Sequence, residues 1–140
     1  MTPLERLQAS PDFVRQTEPV DMADVEARVG HALPDDLREL LSTCAGFEAF
    51  FGENYFWVIP VSEFVEFNTN PDTRECYPGQ LIFASSGGGE YFALNTNATP
   101  PRYAMVPAIG GPDDALDQGP TLHHLLERLE QGRLFDPPPE

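Results

Sequence analysis

Few residues in this chain are of a type and spacing that could do chemistry. His31, His123, His124, Cys44 and Cys76 form neither a Cys-x-x-Cys nor a His-x-x-x-His pair, so no metal-ligand spacing is present. A helical reading of the last apolar stretch turns His123 and His124 away from its leucines, so surface, unliganded imidazoles are expected. The two cysteines are far apart and in no motif. Reduced, partly buried thiols are expected, with Cys44 on the apolar side of a helix.

Ser85-Ser86-Gly87-Gly88-Gly89-Glu90 is the densest cluster of reactive and flexible residues. A hydrolase elbow needs Gly-x-Ser-x-Gly between a strand and a helix. Here the serines come before the glycines and a strand-like run follows. A phosphate cradle needs a following helix N-terminus or a lysine. The chain has no lysine, since all 8 basic residues are arginine, and Glu90 would repel phosphate. The expected role is architectural: Gly87, Gly88 and Gly89 reverse the chain between Leu81-Ile82-Phe83-Ala84 and Tyr91-Phe92-Ala93-Leu94. Glu90 then opens the second strand, either pairing with an arginine or a backbone amide, or contacting a partner.

Carboxylate pairs such as Asp35/Asp36, Glu63/Glu66 and Asp113/Asp114 are numerous. Acid–base catalysis needs two carboxyls converging with separated pKa values. In a chain this acidic a solvated surface is the simpler expectation. No catalytic residue, cofactor-binding residue or metal ligand is therefore assigned, and no cofactor is expected.

The charge balance carries more information. There are 23 acidic residues against 8 basic ones, a net charge of -15 over 140 residues. Such a chain repels phosphate backbones, so direct nucleic-acid binding is disfavoured. The same charge attracts a basic protein and speeds encounter with it. The hydrophobic fraction of 41% suits a soluble globular protein large enough to bury a core. No apolar run approaches a membrane span. The residues Met1-Thr2-Pro3-Leu4-Glu5-Arg6 lack a signal-peptide pattern, so a cytoplasmic location is expected.

The elements that must position these residues read as follows. Thr2-Pro3-Leu4-Glu5 is a capping box opening a first helix that ends near Ser10-Pro11. Residues 11–20 read as irregular, anchored by Phe13 and Val14. Asp21 caps a second helix carrying Met22, Val25 and Val29, stopped by Gly30. Leu33-Pro34 opens a third, with Leu37, Leu40, Leu41 and Cys44 in one stripe and Gly46 at its end. Tyr55–Ile59 reads as a strand, with Phe56 facing one way and Tyr55 and Trp57 the other. Residues 61–68 fit a helix slightly better than a strand. Residues 69–79 read as a loop, 80–95 as the glycine hairpin and 102–106 as a strand. Residues 110–114 read as a turn, and Pro120–Gln131 as a helix with Leu122, Leu125, Leu126 and Leu129 inward. The order predicts an α+β fold: N-terminal helices, a central, mainly antiparallel sheet and a C-terminal helix. It is divided into a leader of residues 1–20, a core of 21–130 and a proline-rich tail of 131–140, all in one domain.

These pieces resemble a known superfamily. Glu26-Ala27-Arg28-Val29-Gly30-x-x-Leu33-Pro34-x-x-Leu37-x-x-Leu40-Leu41, followed by Ala45-Gly46, resembles the opening of the SUKH superfamily, the Smi/Knr-like domain. The strand with Trp57 looks like the family's first strand. Ala84–Glu90 resembles its glycine-rich turn with an acidic residue, and Thr121–Leu129 its closing helix. The family often has Asn-Gly where Ala45-Gly46 stands, and Asp or Asn where Ser86 stands. The resemblance implies an α+β fold around a central sheet and, for many bacterial members, an immunity protein against a polymorphic toxin. Fungal relatives are cell-wall and signalling regulators without known catalysis.

Together these point to a non-enzymatic protein, a monomer or weak dimer. It would bind a basic, nucleic-acid-acting toxin domain through an acidic surface bearing aromatic anchors. The candidate contacts are Glu53, Tyr55, Trp57, Glu66, Glu75 and Glu90. An exposed Tyr or Trp beside Glu48, Glu53 and Glu63 would suit such an interface. The alternatives are a Smi/Knr-type regulatory interaction module, and a small hydrolase using paired carboxylates.

Overall fold

The computed structural model describes residues 2–51, 53–109 and 114–136. Most of the turn read at 110–114, and the tail from residue 137 onward, lie outside the described residues. Helix α1 (Pro3–Ala9) begins with the capping box: Thr2 Oγ accepts the Glu5 amide at 3.1 Å and the Glu5 carboxylate accepts the Thr2 amide at 3.2 Å. A two-residue strand, β1 (Val14–Arg15), follows. Phe13 is buried as expected, but Val14 is 58% exposed and anchors nothing. Helix α2 (Met22–Val29) runs from an Asp21 cap to a left-handed Gly30, and buries Met22, Val25 and Val29. Helix α3 (Asp35–Thr43) buries Leu37, Leu40 and Leu41.

The chain then departs from the expectation. Gly46 does not end α3; it lies inside strand β2 (Cys44–Phe51). Cys44 is buried both as the stripe's next residue and as the strand's first inward residue. The helix therefore passes into the strand with no intervening turn residue. Strand β3 (Asn54–Val58) carries Trp57 and is third in the sheet rather than first. Helix α4 (Val61–Thr69) occupies the ambiguous stretch. The expected loop at 69–79 contains helix α5 (Pro71–Cys76), started by an Asn70 side chain accepting the Asp72 amide at 2.8 Å. Asn-Pro is a good helix opening. With six residues and none buried, α5 has no apolar period to announce it. Strands β4 (Gln80–Ser85) and β5 (Glu90–Asn95) form the glycine hairpin, and β6 (Arg102–Pro107) follows. Strand β7 (Leu116–Gly119) was not anticipated, being short and polar. Helix α6 (Leu122–Gln131) buries all four predicted leucines between a Thr121 cap and Gly132.

All strand pairings are antiparallel, and the order β1 to β7 is the order in the chain. The glycine hairpin is thus at the centre of a seven-stranded meander. Phe56, Phe92, Leu94, Tyr103 and Met105 share one face of it by alternation and register, and all are buried. Helices α3 and α6 pack on that face, and a single carboxylate joins them to it. Asp36 accepts the Tyr103 hydroxyl at 2.6 Å, the Leu37 amide at 2.8 Å and the Leu122 amide at 2.8 Å. Past α6 the chain stays against the body. Leu134 is buried, and its carbonyl accepts from the fully buried Gln118 side chain, which in turn accepts from Arg128.

Candidate functional site

The other face of the sheet is only partly covered. Register sets Glu48 opposite Trp57, and Phe50 opposite Tyr55. Trp57 is opposite Ser85, and Ser85 opposite Tyr91. These side chains therefore share a face, as alternation along β3 predicted: Phe56 is fully buried while its neighbour Trp57 is 41% exposed. Phe50 is 69% exposed and its ring is 5.1 Å from that of Tyr55. The Tyr55 hydroxyl donates to Glu48, a contact that raises the tyrosine's pKa above its ordinary value, with a little burial adding to it.

Helix α4 covers the β4–β5 part of this face, and one side chain fixes it there. Strand β3 pairs with β4 only at Ser85 and Ala84, with one more bond from the Ile59 amide to the Phe83 carbonyl. Beyond that point the ladder would end. The buried Asn68 takes over: its amide oxygen accepts the Ile82 N–H at 2.8 Å and its NH₂ donates to the Ile82 carbonyl at 2.8 Å. The side chain substitutes for a strand, satisfying backbone groups that would otherwise be buried unpaired. Further along, Phe67 and Tyr77 pack on Tyr91 with ring separations of 5.8 and 5.9 Å.

Between α4 and the uncovered strands lies a groove of about 370 Å³, lined by Trp57, Ile59, Glu63, Glu66, Phe67, Asn70, Ser85 and Tyr91. It brings together two of the predicted contacts, Trp57 and Glu66. Glu53, Tyr55 and Glu90 meet elsewhere, around a smaller depression of about 170 Å³ at the end of the sheet. Glu75 is exposed on α5 and lines neither. Phe67 and Tyr91 carry no signal for this groove in the sequence, and Ser85, read there as a turn residue, lines it as well. Pairing the two strands across the glycine turn sets Tyr91 opposite Ser85, but only the β3–β4 register sets that row beside Trp57.

The glycine turn is built by its own serines. Ser85 Oγ accepts the Gly87 amide at 3.0 Å; Ser86 Oγ accepts the Gly88 and Glu90 amides and donates to the Glu90 carboxylate at 3.0 Å. Among the described residues the Glu90 carboxylate thus meets a hydroxyl, not an arginine or an amide. Gly87 and Gly89 have φ of +71° and +109°, and a Cβ on Gly87 would come within 2.8 Å of the Tyr55 ring. The turn needs those two glycines on steric grounds, and Gly87 is also where the Tyr55 ring comes close to the turn.

His123 pairs with Glu127 at 3.0 Å, and His124 with Thr121 at 2.6 Å. Among the described residues no three His, Cys, Asp or Glu side chains converge as metal ligands, and no helix is long and apolar enough to cross a membrane. Cys44 is buried, which raises its pKa; Cys76 is exposed rather than partly buried.

An antiparallel meander sealed by helices on one face and open on part of the other defines an α+β protein whose open face carries aromatic and acidic side chains. Residues 17–128 match the SMI1 / KNR4 family (SUKH-1), and the chain belongs to that family. The family includes immunity proteins and is generally one of non-enzymatic interaction domains. A search of curated proteins gave no match.

Proposed function

We propose that this protein is a non-enzymatic immunity protein that binds a toxin domain and blocks it. The observation that carries the reading is the open face. Folding has left Phe50, Tyr55 and Trp57 in one patch, bordered by Glu48, Glu63 and Glu66, in a family that includes immunity proteins. Aromatic anchors with an acidic surround suit a basic partner, and a toxin domain acting on nucleic acid carries a basic cleft. The net charge of -15 would speed that encounter and make it salt-sensitive.

Co-expression with the product of the adjacent upstream gene tests this. Rescue of growth and co-purification of a stoichiometric complex are the expected outcome; neither rescue nor complex would sink it. The regulatory alternative uses the same face on a host protein, and a gene neighbourhood without a toxin would favour it.

A further inference from the structure

The groove under α4 sets aromatic rings and carboxylates together, with no cation among the residues that line it. Five carboxylates elsewhere are answered by the protein's own arginines: Glu130 by Arg6, Asp24 by Arg28, Glu26 by Arg38, Asp117 by Arg102 and Asp136 by Arg133, at 2.7 to 3.3 Å. Glu63 and Glu66, three residues apart on α4, both line the groove, and neither carboxylate has an ion pair or hydrogen bond among the described residues. Opposite them is the half-exposed indole of Trp57, with the Phe67–Tyr91 pair along the wall.

An aromatic face and two unpaired carboxylates in one concavity attract the same chemical group. A cation over an indole is held by the ring quadrupole, and more so with its charge answered from the other side. A guanidinium can use both at once, being planar, weakly hydrated and five times a donor, whereas an ammonium acts as a hydrated point charge. We propose that this groove receives an arginine side chain of a protein partner, stacked on Trp57 and paired with Glu63 and Glu66. The proposal rests on the reading of the open face as a protein-binding surface and names the contact made there.

The chain has one tryptophan, Trp57, so its fluorescence reports on the groove directly. The full-length protein is titrated at low salt with N-acetyl-arginine methylamide, using the citrulline and lysine counterparts as comparisons. The arginine probe is expected to give a saturable change in Trp57 emission. Citrulline, lysine and the Glu63→Gln/Glu66→Gln double variant are each expected to weaken the response by about fivefold or more. A response that does not saturate, or one equally strong with citrulline or lysine or in the double variant, overturns the assignment. Both glutamates are exposed, and an unchanged urea midpoint confirms that the variant is folded. The partner then separates the two proposals. If the toxin complex forms equally well with the double variant, the arginine contact is wrong and the immunity reading stands. If no toxin binds while the arginine probe saturates, the groove is right and the immunity reading is wrong.

Discussion

The two faces of the sheet use the same strands to opposite ends. Along β3, Phe56 has no exposed surface and meets Phe92 at 5.3 Å, while Trp57, one residue on, is 41% exposed. On the covered face the polar groups are tied into the fold. The Asp36 carboxylate alone takes hydrogen bonds from α3, β6 and the start of α6. On the open face the carboxylates of Glu63 and Glu66 take none among the described residues, and Phe50 lies in solvent. Apolar area left outside by folding contributes nothing to stability, and in a patch of this kind it is available to the contact proposed above. Stability and binding should therefore separate at the level of neighbouring residues.

The sharpest break comes from that neighbouring pair. Phe56→Ala is expected to cost about 4 kcal/mol of unfolding free energy, through lost transfer energy and the cavity left behind. Trp57→Ala should cost less than about 1 kcal/mol yet weaken a partner complex by at least about 2 kcal/mol. Urea unfolding and titration calorimetry measure the two. Equal destabilisation by both changes would mean that the open face belongs to the core.

Asn68 joins the faces, because it fastens α4 to β4 and so forms one wall of the groove. Asn68→Ala leaves the Ile82 N–H and C=O without partners and is expected to cost about 2–3 kcal/mol. If α4 depends on it as the geometry implies, hydrogen exchange should quicken in residues 61–69 before it does in α3 or α6.

The helices could be read from the chain because their signals are local. Thr2-Pro3-Leu4-Glu5, Asp21 with Gly30, and the leucines of α3 and α6 each specify an element without reference to anything distant. Strand β2 was hidden because Cys44 satisfies a helical stripe and an inward strand position at once. Strand β7 was hidden because its buried residues are Gln118 and Gly119 rather than apolar side chains, and Gln118 is made tolerable by Arg128 and the Leu134 carbonyl. The groove was half legible. Alternation set Trp57 outward, but Tyr91 and Phe67 reach it only through sheet register and the packing of α4. Glu75 is part of the acidic composition yet on a helix that points elsewhere.

The glycine turn offers a smaller test within one motif. Gly87→Ala places a Cβ against the Tyr55 ring at a φ of +71° and is expected to cost about 1–2 kcal/mol. The Gly88 site has no contact closer than 3.9 Å and no positive φ, so Gly88→Ala should lie within about 0.5 kcal/mol of the parent. If both changes cost the same, the turn does not hold Tyr55.

The finest comparison sets one tyrosine on each face against a carboxylate. Tyr103 donates to Asp36 and Tyr55 to Glu48, and both hydroxyls are raised above the ordinary value of 10.0. The causes differ: burial leads at Tyr103, followed by the Asp36 contact, whereas at Tyr55 the Glu48 hydrogen bond leads in solvent-exposed surroundings. A raised folded pKa gives stability that is complete below the unfolded value and lost as pH rises beyond it. Above pH 10 the unfolded chain ionises at position 103 while the folded protein does not. Stability should then fall by about 1.4 kcal/mol per pH unit from this group. Tyr103→Phe is expected to cost about 1 kcal/mol at neutral pH and to remove that share of the alkaline slope in urea unfolding between pH 9 and 11. Tyr55→Phe should leave the slope nearly unchanged, because solvent screens the pair on the open face. A loss of slope in the Tyr55 variant matching that of the Tyr103 variant would show that the open face is closed in solution.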